Sequence, residues 1–103
     1  MNKSDRKLLE AAAKAAGMME FRYCEPWGGM ALYSRELCEF YGKEWNPLHD
    51  DADALRLAIN LEMIVQPGLA WMRRVGWRGE VGRDVAATRR AIVRAAADAV
   101  DQP

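Results

Sequence analysis

Three helix-period stretches, separated by short β-type runs that end in tight turns, predict an α+β fold. The expected arrangement is three helices packed on a small antiparallel or mixed sheet, in the order α-β-β-α-β-β-α. The first observation is the block 45–61, where Ala54, Leu57, Ala58 and Leu61 fall at i, i+3, i+4 and i+7, with Leu55 and Ile59 widening the stripe. A helix apolar over so much of its circumference is expected to be packed inside the domain, and the rest of the chain to be organised around it. The second observation is the alanine-rich face of the first and last helices, which suits close approach to a flat surface, expected to be the sheet. The third is the glycine and proline punctuation between short strands, which favours hairpins over the long crossovers of a parallel sheet.

In chain order, Ser4 is a cap for a first helix whose Leu8, Leu9, Ala12, Ala13 and Ala16 share a face and which Gly17 stops. Residues 19–24 alternate Met19, Phe21 and Tyr23 with Glu20, Arg22 and Cys24, the period of a half-buried strand. Glu25-Pro26-Trp27-Gly28-Gly29 reads as a turn. Residues 30–33 and 36–41 are extended, either as two strands or as one broken near Ser34, and Tyr41-Gly42-Lys43 turns the chain toward Trp45. Pro47 holds the lead-in extended, and Asp50 or Asp51 caps the central helix with Asp53 in its first turn. Residues 62–66 are β-rich, Pro67-Gly68 is a turn, and residues 70–77 read as the return strand, with Trp71, Arg73, Val75 and Trp77 on one side. Gly76, Gly79 and Gly82 mark a loose connection to a last helix capped by Asp84. Its inward stripe is Val85, Thr88, Ile92, Ala95 and Ala99, with Arg83, Arg90 and Arg94 on a basic outer face and a short tail at the end of the chain.

At 103 residues the chain is a single domain, 1–103, able to bury roughly 60–70% of the surface it exposes when unfolded. Half its residues are apolar, which excludes a disordered chain, and its zero formal charge argues against a general polyanion binder. The zero conceals segregation. Between Glu20 and Glu62 nine acidic residues face four basic ones; between Arg73 and Arg94 seven arginines face Glu80 and Asp84. Such asymmetry either steers a charged partner or is compensated within the fold. Residues 1–10 lack the apolar run of a signal peptide, and no stretch approaches membrane-spanning length. With two cysteines, Cys24 and Cys38, outside any paired metal spacing, a cytoplasmic protein with reduced, half-buried thiols is expected.

Three blocks carry a resemblance. They are Trp-Asn-Pro-Leu-His-Asp-Asp followed by Asp-Ala-Leu-Arg-Leu-Ala within 45–61, the alanine- and arginine-rich run 86–97, and the opening Leu-Leu-Glu-Ala-Ala-Ala-Lys-Ala-Ala-Gly at 8–17. Together they cover a little under half of the chain, which resembles the small phage and prophage proteins that carry the phage ABA sandwich domain. The resemblance implies helices around a β-sheet, an ABA-type sandwich, and implies no catalytic residues. Residues 24–43 and 66–82 depart from the family's pattern, and an activity particular to this chain is expected there.

Chemistry offers little. His49 beside Asp50, Asp51 and Asp53 is the only cluster with the look of a metal or acid–base site, and capping explains those carboxylates more simply. Cys24 with His49 as base would need an orienting third group, and no phosphate-binding, dinucleotide or nucleophile-elbow motif is present. A non-enzyme without metal or cofactor is expected. The candidate contact residues are Trp27 with the acidic Glu36, Glu39 and Glu44, and Trp71, Arg73, Arg74, Trp77 and Arg78, where arginine and tryptophan alternate. Carboxylates of the acidic half suit a basic protein groove. Tryptophan and arginine suit either a protein hot spot or single-stranded nucleic acid, unless the tryptophans are core. The expected function is stoichiometric binding of a host protein or defence complex by a phage or prophage accessory protein, in its most concrete form an inhibitor of host defence such as an anti-CRISPR. The alternative is a nucleic-acid-binding accessory protein using the basic half from Arg73 to Arg94. The chain is expected to be a monomer or homodimer, away from membranes.

Overall fold

The computed structural model describes residues 4–100, so the expected C-terminal tail lies outside the described residues. The chain forms α1 (Asp5–Ala15), β1 (Phe21–Cys24), a 3-10 turn (Glu25–Trp27), β2 (Gly29–Ser34), β3 (Glu39–Trp45), α2 (Asp51–Asn60), β4 (Ile64–Gln66), β5 (Leu69–Met72), β6 (Gly76–Gly79) and α3 (Val85–Val100). The class is α+β, as expected. Its strands form two separate antiparallel sheets, β1-β2-β3 and β4-β5-β6.

Local chemistry sets the helix starts. The Ser4 hydroxyl accepts from Lys7 N at 3.3 Å, the Asp50 carboxylate from Asp53 N at 3.1 Å, and the Asp84 carboxylate from Ala87 N at 2.8 Å. Gly17, at φ 78°, follows the end of α1.

Tertiary packing departs from expectation in one respect that matters. The hub is α3, not α2. Its Ala91, Ile92, Val93, Ala95, Ala96, Ala97 and Ala99 are all buried, a far wider arc than a single stripe. One side of α3 meets α1, another meets β5 and β6, and a third meets α2, while α1 also touches β1 and β2. The alanines of α1 therefore face a second helix more than a sheet, because small residues on both helices let the two axes approach closely. On α2 the stripe Ala54, Leu57 and Ala58 is buried against the core, but Leu55 is 60% and Ile59 68% exposed. Val85, expected to face inward, is also exposed.

Two strand boundaries differ for a stated reason. The expected turn at Tyr41-Gly42-Lys43 is a bulge within β3: Leu32 pairs with Tyr41 but Ala31 with Glu44, which leaves Gly42 and Lys43 as extra residues. Gly42 sits at φ 80°, and a Cβ there would lie 2.9 Å from Leu32 Cδ1. The expected strand 70–77 is two strands, because Val75 N bonds back to Met72 O at 3.0 Å and Gly76 adopts φ 76°. The chain reverses through Arg73 and Arg74.

Candidate partner-binding surface

The second sheet is pinned to α3 at its turn. Gly68, at φ 74° in the β4–β5 turn, donates its N–H to Thr88 Oγ1 at 2.8 Å and accepts from Glu80 N at 3.0 Å. A Cβ on Gly68 would stand 2.1 Å from Gly82 O, so no other residue fits this approach.

Antiparallel partners share a face, which sorts the side chains of this sheet. Val65, Ala70 and Arg78 pair in one row, with Met72 on the same side. This is the side packed on α3: Ala70 and Met72 are buried, and Arg78 Nε bonds Asp98 of α3. Ile64, Trp71 and Trp77 pair in the neighbouring row, on the opposite side, with Leu69. No described element seals that side fully. Ile64 is 54%, Trp77 46% and Leu69 38% exposed, and Trp71 is half-buried. Arg73 and Arg74, both exposed, flank it in the turn between β5 and β6.

Trp71 and Trp77 thus do share a face, but as cross-strand neighbours and not as alternate residues of one strand. Arg78 projects the other way, and Val75 O and Trp77 O also accept from its guanidinium. It ties the sheet to α3. The Ile64 and Leu69 contribution was missed by sequence reasoning; the β-rich character of 62–66 is its only local signal.

The acidic candidates belong to the first sheet. Glu36 is exposed in the turn between β2 and β3, and Glu39 is exposed at the start of β3. Glu44 lies at the other end of β3, paired with Ala31, and its carboxylate approaches Gly29. Trp27, 48% exposed, sits near that second end, where Asn46 Nδ2 donates to Gly28 O at 3.0 Å. The structure divides the named residues between two sheets and brings Trp71, Trp77, Arg73 and Arg74 together.

Four of the seven arginines between Arg73 and Arg94 meet carboxylates within the described residues, of which only Asp51 comes from the acidic stretch 20–62. Arg78 pairs with Asp98, Arg89 with Asp51, Arg90 with Asp5 and Arg94 with Glu80. Of the expected basic outer face, Arg90 and Arg94 are therefore tied to α1 and to Glu80 after β6, Arg83 is exposed, and the tie to α2 is made by Arg89. The carboxylates near His49 are structural too. Asp53 is buried and accepts from Asn46 N at 2.9 Å, Asp50 caps α2, and Asp51 holds Arg89. Among the described residues no three of His, Cys, Asp or Glu gather as metal ligands. Cys24 is buried and Cys38 exposed, and no described helix is long and apolar enough to cross a membrane.

An open, mainly apolar groove of about 450 Å³ also lies between α2, α3 and β4, lined by Ala54, Leu55, Ala58, Val65, Val85 and Ile92, with Asp51, Arg83, Asp84 and Arg89 also lining it. No protein-family model matches the chain, and no match was found among curated proteins or solved structures.

Proposed function

We propose that this protein acts without catalysis, by stoichiometric binding of a host protein through the open face of the β4-β5-β6 sheet. One observation carries the reading: Ile64, Leu69, Trp71 and Trp77 form a contiguous apolar face that the described elements leave largely uncovered, with Arg73 and Arg74 at its edge. Tryptophan and arginine are the residues that dominate protein interfaces, and uncovered apolar patches on small domains mark contact sites. The partner surface that fits is an apolar patch bordered by carboxylates. The face lies within residues 66–82 and their neighbour Ile64, the region that departs from the phage-family pattern. With that resemblance, the concrete form of the proposal is a phage or prophage protein that inhibits a host defence system, such as an anti-CRISPR, in the bacterial cytoplasm.

The nucleic-acid alternative loses most of its charge to intramolecular pairs, since four of the seven arginines between 73 and 94 are engaged with carboxylates. The test is expression in a bacterial host with an active CRISPR system, scored by phage plating, beside affinity capture from the nuclease-treated lysate. Raised plating and a nuclease-resistant complex, both abolished by Trp71→Ser with Trp77→Ser, are the expected results. A complex that vanishes on nuclease treatment, or one indifferent to both substitutions, overturns the proposal.

A further inference from the structure

The groove between α2, α3 and β4 lies on the side of the second sheet opposite the two tryptophans, because Val65 belongs to the row that faces α3. Its floor is small and buried: Ala54, Ala58 and Ile92 are 2%, 4% and 5% exposed. Its walls are Leu55, Val65 and Val85, one from each element, and all three are exposed. A volume of about 450 Å³ falls within the roughly 300–1,000 Å³ of small-molecule sites, which are mainly apolar with a few placed polar groups.

The charged groups that line the groove belong to the starts of α2 and α3, and three of the four are used within the fold. Asp51 bonds Arg89, whose Nε also donates to Leu48 O at 2.8 Å, and Asp84 accepts from Ala87 N in the first turn of α3. The fourth is Arg83. It is exposed, and its guanidinium has no partner among the described residues. Its backbone is held in place: Arg83 Cα lies 3.5 Å from where a Gly68 Cβ would be, and the Gly68 N–H is fixed by Thr88, which also lines the groove. The positive end of the α3 dipole lies at the same end, beside Val85. The one charge that the groove leaves unanswered is therefore positive.

We propose that this groove binds a free, single-chain amphiphilic carboxylate. The aliphatic tail lies over Ala54, Ala58 and Ile92, between the walls that the chain leaves open to water, and the carboxylate meets the Arg83 guanidinium. Charge complementarity selects this occupant. A cationic amphiphile would satisfy the walls and be repelled at Arg83, and a neutral one would leave the guanidinium unanswered. The proposal does not depend on the Trp71–Trp77 face having a partner.

Amide NMR titration of the full chain tests this with two probes, sodium decanoate and decyltrimethylammonium, which share a tail and differ in the sign of the head. Both are used below their micelle-forming concentrations. Decanoate is expected to give saturable shifts grouped at Ala54, Leu55, Val65 and Val85. Decyltrimethylammonium is expected to bind about tenfold more weakly, since repulsion replaces attraction at the head. Arg83→Glu, a change at an exposed residue, is expected to reverse that preference. Val85→Glu sets a carboxylate in the groove wall, at a helix start that favours acidic side chains, and is expected to weaken decanoate binding about tenfold or more in a folded protein. Equal affinity for the two heads, or a preference that Arg83→Glu leaves unchanged, overturns the proposal. Shifts centred on Trp71 and Trp77 overturn it too, as does association with anionic vesicles but not with dissolved decanoate.

Discussion

The two faces of the β4-β5-β6 sheet are built from the same eleven strand residues and have opposite fates. On one, Ala70 and Met72 are sealed beneath α3, and the one charged side chain, Arg78, is answered by Asp98. On the other, two tryptophans, an isoleucine and a leucine face outward. The larger apolar residues are on the uncovered side. A chain that needed this sheet only for stability would bury its tryptophans and expose its alanine, because burial of a large side chain contributes roughly 1.5–3 kcal/mol. The inversion is what motivates the proposed contact at the open face, while α3 seals the other with small residues that permit close approach.

The sharpest way to break this contrast is a charge on the sealed side. Ala70→Glu places a carboxylate beneath α3, where its cross-strand neighbour Arg78 is already engaged with Asp98, and is expected to cost about 3 kcal/mol or more in urea unfolding, or to prevent folding. Next is the turn that holds the sheet on α3. Gly68→Ala adds a Cβ against Gly82 O at a positive φ, and is expected to cost about 2 kcal/mol or more by the same measurement. The arginines give a smaller, paired comparison. Arg78→Ala leaves Asp98 without its guanidinium and is expected to cost about 1–2 kcal/mol, whereas exposed Arg73→Ala is expected to stay within about 0.5 kcal/mol of the wild type. Equal losses at Arg73 and Arg78 would erase the distinction between a tether and a contact residue.

Features decided within a few residues were legible in the sequence. Ser4, Asp50 and Asp84 cap the three helices because the bond from a short side chain to the third following N–H depends on nothing distant. Features decided by what lies opposite were not. Leu55 and Ile59 extend the stripe of α2 by periodicity, yet a period reports which residues share a face and not whether another element covers it. Gly42 carries the same left-handed signal in a bulge as in a turn, and only the pairing of Ala31 with Glu44 separates the two. The reversal at Arg73 and Arg74 has only Gly76 to mark it, so residues 70–77 read as one strand. That error placed Trp71 and Trp77 on a common side for the wrong reason, and hid that Arg78 points to α3. The run of arginines was visible, but the pairing of four of them with Asp5, Asp51, Glu80 and Asp98 is a property of the packed helices.

The open face itself is tested most directly by affinity capture from one nuclease-treated host lysate with two variants side by side. Trp77→Ser alters the second sheet, and Glu36→Ala with Glu39→Ala alters the first. Both are expected to melt within a few degrees of the wild type, since all three residues are solvent-exposed. Loss of the captured protein with Trp77→Ser, and its retention with the glutamate variant, is the expected result. Retention with Trp77→Ser and loss with the glutamate variant would contradict the assignment and move the contact to the turn between β2 and β3.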